Sequence, residues 1–599
     1  MMANGAVMGR RRRSTKHESG YSMRQVLDTA KRLFGRDKPE DAYERGLKAY
    51  ERGQHKAALD LWLAAARNGH AKAQYRIGRL YDLGEGVLRN AVDAAGWYQQ
   101  AAEHGNKDAQ VRLAEMYYYG CDGAKGVTPS DAVLELLFPN GLKIEQNYEE
   151  ALRWARAAAE QDAPVAQAML GYMYASGFGI TPNYQEAEIW YRRAAEKGSA
   201  PAQLGLGTLL AGGYGGPSDP EAAHDWFQRA AEQGNAMAWY YLGSQYAAGL
   251  GVEQNTEKAM ECYHKSAEAG TAAAQRALGT LYARGLGVPR STELAETWLR
   301  KAAVQGDAEA MILLGELHSR GDGVQPNLFE AAAWYRGAAE LGNRRAQHVI
   351  AQMYLNGRGV PKDDLEAARW YERAAGQGDP QAQLRIGAFY AEGRGVDRDY
   401  SRALDWFRRA AEQGNPDAGY NIALLHNLGL GVPRSTTTAL DWYRRAAEQG
   451  SMLAQFRLGA IYAAGDNIPQ DYTEGAKWSR MAAEQGHAPA QINLGRFCMQ
   501  GLGMAPDYDQ AERWLTAAAQ QNEAGAMTAL GELFAIWRPE KDIARAEYWL
   551  TRGADEGDAR AKSLLAQIQQ QRQTTAHGGA LAGTTDNSQA PKVESREAC

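Results

Sequence analysis

The chain has 599 residues, with 67 Lys or Arg, 72 Asp or Glu and a formal net charge of -5. Residues 1–38 sum to +7, so the remainder sums to -12, and an acidic body argues against a protein built around a nucleic-acid surface. Its four cysteines share no short spacing, which excludes a zinc knuckle or a disulfide framework and favours a reducing compartment.

The chain opens on a basic leader, residues 1–39, which we predict to be partly disordered and which could hold a short helix. Between residues 1 and 38, ten Lys or Arg stand against Glu18, Asp28 and Asp37. One helical face would carry Val26, Leu27, Ala30, Leu33 and Phe34. Such a face can cap the first repeat, contact an anionic membrane or meet a partner. The leader has no apolar run as long as a secretory signal, so we expect a cytoplasmic protein.

Residues 40–569 are predicted to form one array of repeats, because tryptophan recurs at a fixed step. The step is 36 residues, or 72 where Cys262 takes the expected place. The markers of this series are Trp154, Trp190, Trp226, Trp298, Trp334, Trp370, Trp406, Trp442, Trp478 and Trp514. A period of this size is typical of solenoids, in which stacked neighbours share a continuous core.

An insertion interrupts the array at about residues 121–145. The step from Trp97 to Trp154 is 57 residues, which is 21 more than the period. The apolar run from Ala132 to Phe138 predicts a short extra helix there. That helix would either pack over the edge of the solenoid, as ordered long loops usually do, or serve as a docking element.

The repeat at residues 379–414 illustrates the two helices that we expect in each unit. Ala382, Ile386 and Tyr390 recur every four residues and give the first helix one apolar stripe. Gly393 then ends this helix, since glycine adopts the left-handed conformation at little cost.

The second helix of each repeat is predicted to begin at a polar residue seven positions before the tryptophan marker. Asp399 stands there in the repeat above, and its side chain can accept bonds from unpaired amides, worth about 1 kcal/mol. The equivalent residues are Asn90, Asn147, Asn183, Asp219, Asn255, Ser291, Asn327, Asp363, Ser435, Asp471, Asp507 and Asp542. Ala403, Phe407 and Ala410 face the stack beside Trp406, whose indole we expect to fill the space between repeats.

The motif AxAQxxLGxxYxxGxGV, followed by Asp or Asn and then AxxWYxxAAExG, resembles the Sel-one-like repeat, a subclass of the tetratricopeptide-like solenoids. The resemblance implies an all-α fold, a right-handed α/α superhelical solenoid of about fourteen 36-residue helix-turn-helix repeats. It also implies an adaptor that holds partners together in signalling, envelope polysaccharide regulation, protein quality control or host contact. After residue 569 the composition turns polar, and we predict a disordered tail at 570–599.

The sequence carries no recognisable catalytic motif, neither a Walker loop nor a GxSxG, HExxH, SxxK or CxxC pattern. We therefore predict no enzyme activity, no cofactor, no metal site and no small-molecule substrate. Seven glutamates recur in the AAE segment of the repeats, from Glu196 to Glu484, and their repetition indicates a packing or inter-repeat bonding role.

Binding residues are expected where the repeats differ on an exposed face. First helices line the concave side of a solenoid, and the positions that point away from their apolar stripe vary in charge and size. From these we predict partner-binding residues at Arg76, Arg79, Arg112, Tyr172, Tyr241, Arg385 and Arg457. The tyrosines would anchor a peptide and the arginines would meet its acidic groups.

Three functions remain open at this stage. The first is a non-catalytic scaffold or adaptor that binds protein or peptide partners along the concave surface. The second is a hydrolase or binder of cell-wall or β-lactam substrates, for which no nucleophile can be named. The third is a membrane-surface organiser that uses the basic leader. Nucleic-acid binding is not expected, because the run Arg10 to Arg13 has no interleaved aromatic residues.

Overall fold

The structure is a computed structural model that describes residues 38–122, 143–321 and 325–578. The predicted leader helix and the predicted helix at Ala132 to Phe138 lie outside these residues. The chain divides into two compact units, Met1–Ala310 and Met311–Cys599.

The described part of the first unit is built from helices and one short pair of strands. Its elements are α1 (Pro39–Glu51), α2 (His55–Ala66), α3 (Ala71–Leu83), α4 (Ala91–Glu103), α5 (Lys107–Tyr119), β1 (Cys121–Asp122), β2 (Lys143–Ile144), α6 (Tyr148–Glu160), α7 (Pro164–Ser176), α8 (Tyr184–Glu196), α9 (Ala200–Gly212), α10 (Pro220–Glu232), α11 (Ala236–Ala248), α12 (Thr256–Glu268), α13 (Ala272–Arg284) and α14 (Thr292–Val304). Helix α15 (Ala308–Arg320) contains the boundary between the units.

The second unit continues the same pattern of helices. Its elements are α16 (Leu328–Glu340), α17 (Arg344–Asn356), α18 (Asp364–Gly376), α19 (Pro380–Glu392), α20 (Tyr400–Glu412), α21 (Pro416–Leu428), α22 (Thr436–Glu448), α23 (Met452–Ala464), α24 (Tyr472–Glu484), α25 (Ala488–Gln500), α26 (Tyr508–Ala519), α27 (Ala524–Glu532), α28 (Ile543–Asp555) and α29 (Ala559–Gly578). The last turn of α27 widens into a π-helix at Leu533–Trp537.

Among the described helices, each odd-numbered helix other than α15 and α29 packs on the even-numbered helix that follows it, and successive pairs within each unit stack. The all-α solenoid fold predicted from the period is therefore confirmed. The N-caps are confirmed as well, because the side chains of Asn90, Asn183 and Asp399 accept bonds from the amides of the next turn, as do their counterparts in the other repeats.

Inside a pair, the deepest side chain is not the tryptophan but the residue that follows it. Phe407 of α20 is 2% exposed and lies against Gly387 of α19. A Cβ atom on Gly387 would stand 2.6 Å from the ring of Phe407, so only glycine leaves room for the ring. Gly207 and Phe227 make the same contact in the first unit, also at 2.6 Å.

The tryptophans pack between pairs, as predicted, but most are only half-buried. Trp226 of α10 packs against the core around Tyr191 of α8, in the preceding pair. Its other face lies under the guanidinium of Arg229, 4.6 Å from the ring centroid. Arginines cover Trp190, Trp370 and Trp406 in the same way, at 4.8, 4.5 and 4.6 Å. The indole therefore meets a neighbouring repeat on one side and a solvated cation on the other.

A buried glutamine in most first helices links one repeat to the next. In α19 the Gln383 amide donates to the carbonyl of Ala375 at 3.1 Å and accepts from Gln413 at 2.7 Å. Gln203 and Gln233 repeat the bond in the first unit at 2.7 Å. The AAE glutamates that precede the donor glutamines, such as Glu412, are exposed. The inter-repeat bond assigned to the glutamates in the sequence is thus made by the next residue.

The ends of the insertion and of the array complete the fold. Cys121 pairs with Ile144, and Asp122 pairs with Lys143, in an antiparallel bridge that closes the insertion at its base. Helix α29 runs to Gly578, past the predicted start of the tail, and Arg572 forms an ion pair with Glu547 of α28 at 2.7 Å. Among the described helices, none combines the length and the apolar character that a bilayer crossing requires.

Candidate partner-binding surface

The predicted binding residues fall on first helices of both units, and three of the arginines come together. Arg76, Arg79 and Arg112 surround the phenol of Tyr75 in the first unit. Burial raises the pKa of Tyr75, and the Asp108 carboxylate adds to the rise, whereas the three guanidiniums oppose it. They form a small basic cluster on α3 and α5.

Arg112 holds the repeats together with its guanidinium. It donates to Asp82 at 2.9 Å and to Glu115 at 2.8 Å. The bond to Asp82 raises the pKa of Arg112, and Asp82 also accepts from the hydroxyl of Tyr98 at 3.2 Å. A partner carboxylate would have to compete with two carboxylates already in place, so Arg112 is a structural link as much as a contact residue.

Tyr172 is the most prominent of the predicted residues. Its side chain is 47% exposed on α7 and its ring joins those of Tyr118, Tyr148 and Phe178. The centroid of Tyr118 lies 6.2 Å from that of Tyr172, and Phe178 lies 6.0 Å from Tyr172 and 4.8 Å from Tyr148. Burial and the phenol of Tyr172 raise the pKa of Tyr118. We call these four residues the aromatic group.

Tyr241, the second predicted anchor, is held against the core. Its ring stacks on that of Phe227 with centroids 5.0 Å apart and planes 8° apart. Tyr240 meets it edge-on at 5.5 Å. Tyr241 therefore shows one ring face at most, and it packs against the second helix of the preceding repeat.

In the second unit, Arg385 and Arg457 are exposed as predicted. Arg385 acts on a half-buried histidine of the neighbouring pair, His348, whose Nδ1 lies 3.7 Å from a carboxylate oxygen of Asp379. Burial lowers the pKa of His348, and Arg385 lowers it further, while Asp379 opposes both.

His348 leads to a prediction about pH. Since its pKa in the folded chain is depressed below 6.5, the native state binds protons less readily than the unfolded state. The contribution of His348 to stability is therefore complete above about pH 6.5 and declines as the pH falls below it. We expect His348→Gln to flatten the fall in the urea midpoint between pH 7.5 and 5.5. Equal pH slopes for the variant and the parent chain would contradict this and would assign the fall to other groups, such as His426 and His487, whose pKa values are also lowered by burial.

Sequence reasoning missed a row of apolar residues at the turns that end the first helices of the first unit. Between the two glycines of successive turns stand Phe178, Tyr214, Leu250 and Leu286. The last three are 49%, 55% and 50% exposed. We call these four residues the turn edge. A signal was present, because this position holds a charged residue at Glu85, Arg358 and Arg394 but an apolar residue in each of these four consecutive repeats.

The glycines fix where the turn-edge residues project. Gly177 and Gly179 both have positive φ, 77° and 72°, which side chains rarely adopt. A Cβ atom on Gly179 would also meet the carbonyl oxygen of Tyr148 at 2.6 Å. Because the turn lies directly on the start of the preceding second helix, the residue between the glycines is held outward.

The family follows from a comparison with known protein families. The Sel1 repeat model matches at 41–70, 71–106, 107–131, 138–162, 164–199, 200–235, 236–271, 272–307, 308–343, 344–379, 380–415, 416–451, 453–487, 488–523 and 524–558. The chain belongs to the Sel1 repeat family. The insertion divides one repeat into two of the fifteen matches, at 107–131 and 138–162, so the described helices form fourteen pairs.

Relatives of this Sel1 repeat protein share short parts of it. An exopolysaccharide production negative regulator of Rhizobium leguminosarum bv. viciae is 31% identical over 96 residues, 14% of this chain and 36% of that protein. A chitin synthase regulator of Malassezia restricta is 43% identical over 60 residues, 10% of this chain and 4% of that protein. The chain thus spans about a third or less of these relatives.

One solved structure matches over most of the array. It is c5321, a protective antigen of uropathogenic Escherichia coli strains with an SLR fold, 33% identical and with a TM-score of 0.57. The match covers 74% of this chain and 99% of that one.

Proposed function

We propose that this Sel1 repeat protein is a non-catalytic cytoplasmic scaffold that binds protein partners through the first-helix face of its first unit. The aromatic group carries the proposal. Four rings meet at one place, where Tyr118 and Tyr172 lie on the first helices α5 and α7, and Tyr172 leaves almost half of its side chain in solvent. Large aromatic side chains in such positions supply much of the binding energy of protein interfaces.

The basic residues on α3 support the same use of the first-helix face. Arg76 and Arg79 are half-buried there, and long cationic side chains in such positions typically bury their aliphatic stems and keep their charged ends in water. An acidic side chain of a partner would pair with them at the rim of the interface and contribute mainly to the rate of association.

We further propose that the partners act in the control of polysaccharide production at the cell envelope, because a relative carries that role in its name. Deleting the gene and measuring exopolysaccharide in the medium tests this part alone. An unchanged amount of exopolysaccharide would refute the proposed role in polysaccharide production and leave the scaffold proposal intact.

The binding surface is tested by changing Tyr172 to alanine. We expect the affinity for a captured partner to fall about 30-fold, equivalent to ~2 kcal/mol, because a central aromatic anchor is lost. Binding is measured by titrating the purified full chain with the partner that it captures from its own cells.

The matched control is Tyr548→Ala, which removes an equally exposed tyrosine, 56% exposed, from the second unit. It should leave the affinity unchanged. Equal affinities of the Tyr172→Ala chain and the parent chain would place the interface elsewhere and refute the proposed surface.

A further inference from the structure

The turn edge of the first unit is a second exposed apolar surface, which shares only Phe178 with the aromatic group. Its four residues come from four consecutive repeats. The first helices α7 and α9, which lead into Phe178 and Tyr214, contact each other, and touching helices have axes about 8–10 Å apart. Because the next two repeats have the same length and stack in the same order, the turn edge offers one apolar side chain about every 8–10 Å.

The aromatic half of the turn edge is shaped as two shallow slots. Phe178 stands 4.8 Å from Tyr148, and in the next repeat Tyr214 stands 5.2 Å from Tyr184. The ring of Tyr214 also lies against Gly212, where any side chain would collide with it. These contacts fix the rings before a ligand arrives, which reduces the entropy lost on binding.

The charges around the turn edge are mostly negative. Its turns and the adjoining starts of the second helices cover 143–150, 177–187, 213–223, 249–259 and 285–295, which hold nine acidic and three basic residues. Glu221, Glu253 and Glu257 are exposed there. Such a rim attracts a cationic ligand over about 10 Å at moderate ionic strength.

We propose that the turn edge binds a proline-rich segment of a partner protein that carries flanking Arg or Lys residues. A polyproline II helix has three residues per turn and rises about 9 Å per turn, so one of its edges repeats at the spacing of the turn edge. Grooves lined by aromatic rings recognise such helices, whose preformed shape costs little entropy to bind. The acidic rim supplies the partner for the flanking cations.

This proposal shares with the proposed function Phe178 and the premise that the ligand is a protein segment, and it can fail separately because Tyr214 lies outside the aromatic group. It is tested on the full chain with a labelled peptide of ten prolines that carries two arginines at each end. The four residues of the turn edge span about 27 Å, which nine residues of polyproline II cover. We expect saturable binding in fluorescence anisotropy, at least tenfold weaker for Tyr214→Ala.

Two comparisons separate the parts of the proposal. The double variant Glu221→Lys, Glu257→Lys should bind the arginine-flanked peptide more weakly than the parent chain does. Its affinity for a peptide of ten prolines without arginines should be unchanged. Tyr548→Ala should change neither affinity. Because Tyr214 is half-exposed, Tyr214→Ala should melt at the same temperature as the parent chain. An unchanged melting temperature shows that the variant is folded.

The proposal is overturned if the proline peptide shows no saturable binding, or if it binds the Tyr214→Ala chain as tightly as the parent chain. It is also overturned if a Gly-Ser peptide with the same arginines binds as tightly as the proline peptide. If instead a Lys-Leu amphipathic helical peptide binds more tightly than the proline peptide, the surface takes helices and the proposed partner is wrong. Partner capture through Tyr172 would be untouched by any of these results.

Discussion

Phe407→Ala is expected to destabilise its helix pair by about 3–5 kcal/mol, the cost of a cavity left by a fully buried aromatic ring. The ring is 2% exposed and lies on Gly387, whose missing side chain makes the space that the ring fills. Neighbouring helices cannot close that space without giving up their own contacts. The variant should lose hydrogen-exchange protection in α19 and α20 before the rest of the second unit unfolds, because each repeat depends mainly on its neighbours.

The matched variant is Trp406→Ala, one residue earlier in α20. Trp406 is half-buried, with Arg409 over its outer face at 4.6 Å, so part of its ring is already hydrated. We expect a smaller loss than for Phe407→Ala, measured as the shift of the urea midpoint. A larger loss for Trp406→Ala would mean that contacts between pairs, rather than contacts within a pair, dominate the stability of this solenoid.

The helices and their beginnings could be predicted from the sequence because they depend on local chemistry. Asp399 needs only its own carboxylate and the amides of the next turn to start α20. Gly393 needs only its own φ of 72° to end α19. A period of 36 residues repeats these local signals, and so the array emerges without any knowledge of long-range contacts.

Which of the apolar residues are most deeply buried could not be predicted in the same way. Trp406 and Phe407 are neighbours in sequence and both apolar, and which one meets Gly387 depends on the angle at which two helices pack. The bond from Gln413 to Gln383 spans 30 residues, and nothing local to either residue points to it. For the same reason the seven AAE glutamates seemed to be the residues that join repeats.

The candidate surface was predicted only in part. Tyr172 was singled out because it faces away from the apolar stripe, and that position is exposed as expected. Phe178 lies in the turn that ends the helix of Tyr172, but Tyr118 and Tyr148 come from α5 and α6, so their approach to Tyr172 depends on tertiary packing. Tyr241 also faces away from the apolar stripe in the sequence pattern, yet the ring of Phe227 stacks on one of its faces.

The two glutamines of an inter-repeat bond are replaced together in some repeats of this sequence. Where the acceptor glutamine is replaced by Trp239 or Met311, the donor position 30 residues later holds Ala269 or Leu341, although Gln449 is kept opposite Gly419. This is expected if a lone member is costly, because a buried amide or carbonyl without its partner loses hydration and gains nothing. Losing both partners at once avoids that cost.

Gln383→Met is therefore expected to destabilise the second unit by about 1–3 kcal/mol, since the change keeps the volume but removes the donor to the carbonyl of the buried Ala375 and the acceptor of the exposed Gln413. The carbonyl of Ala375 loses its donor at 3.1 Å, and Gln413 loses its acceptor at 2.7 Å. Adding Gln413→Leu should cost little more, so the double variant should unfold at nearly the urea midpoint of Gln383→Met.

A double-mutant cycle measures the coupling between the two glutamines as the difference between the double variant and the sum of the single variants. We expect a coupling of about 0.5–3 kcal/mol for this pair. Gln413 with Arg409 makes a suitable reference cycle, because Arg409 covers Trp406 and its side chain does not take part in the glutamine bond. Coupling at Gln383 no larger than in the reference cycle would mean that the two glutamines contribute independently, and the joint replacement seen at Met311 and Leu341 would then need another cause.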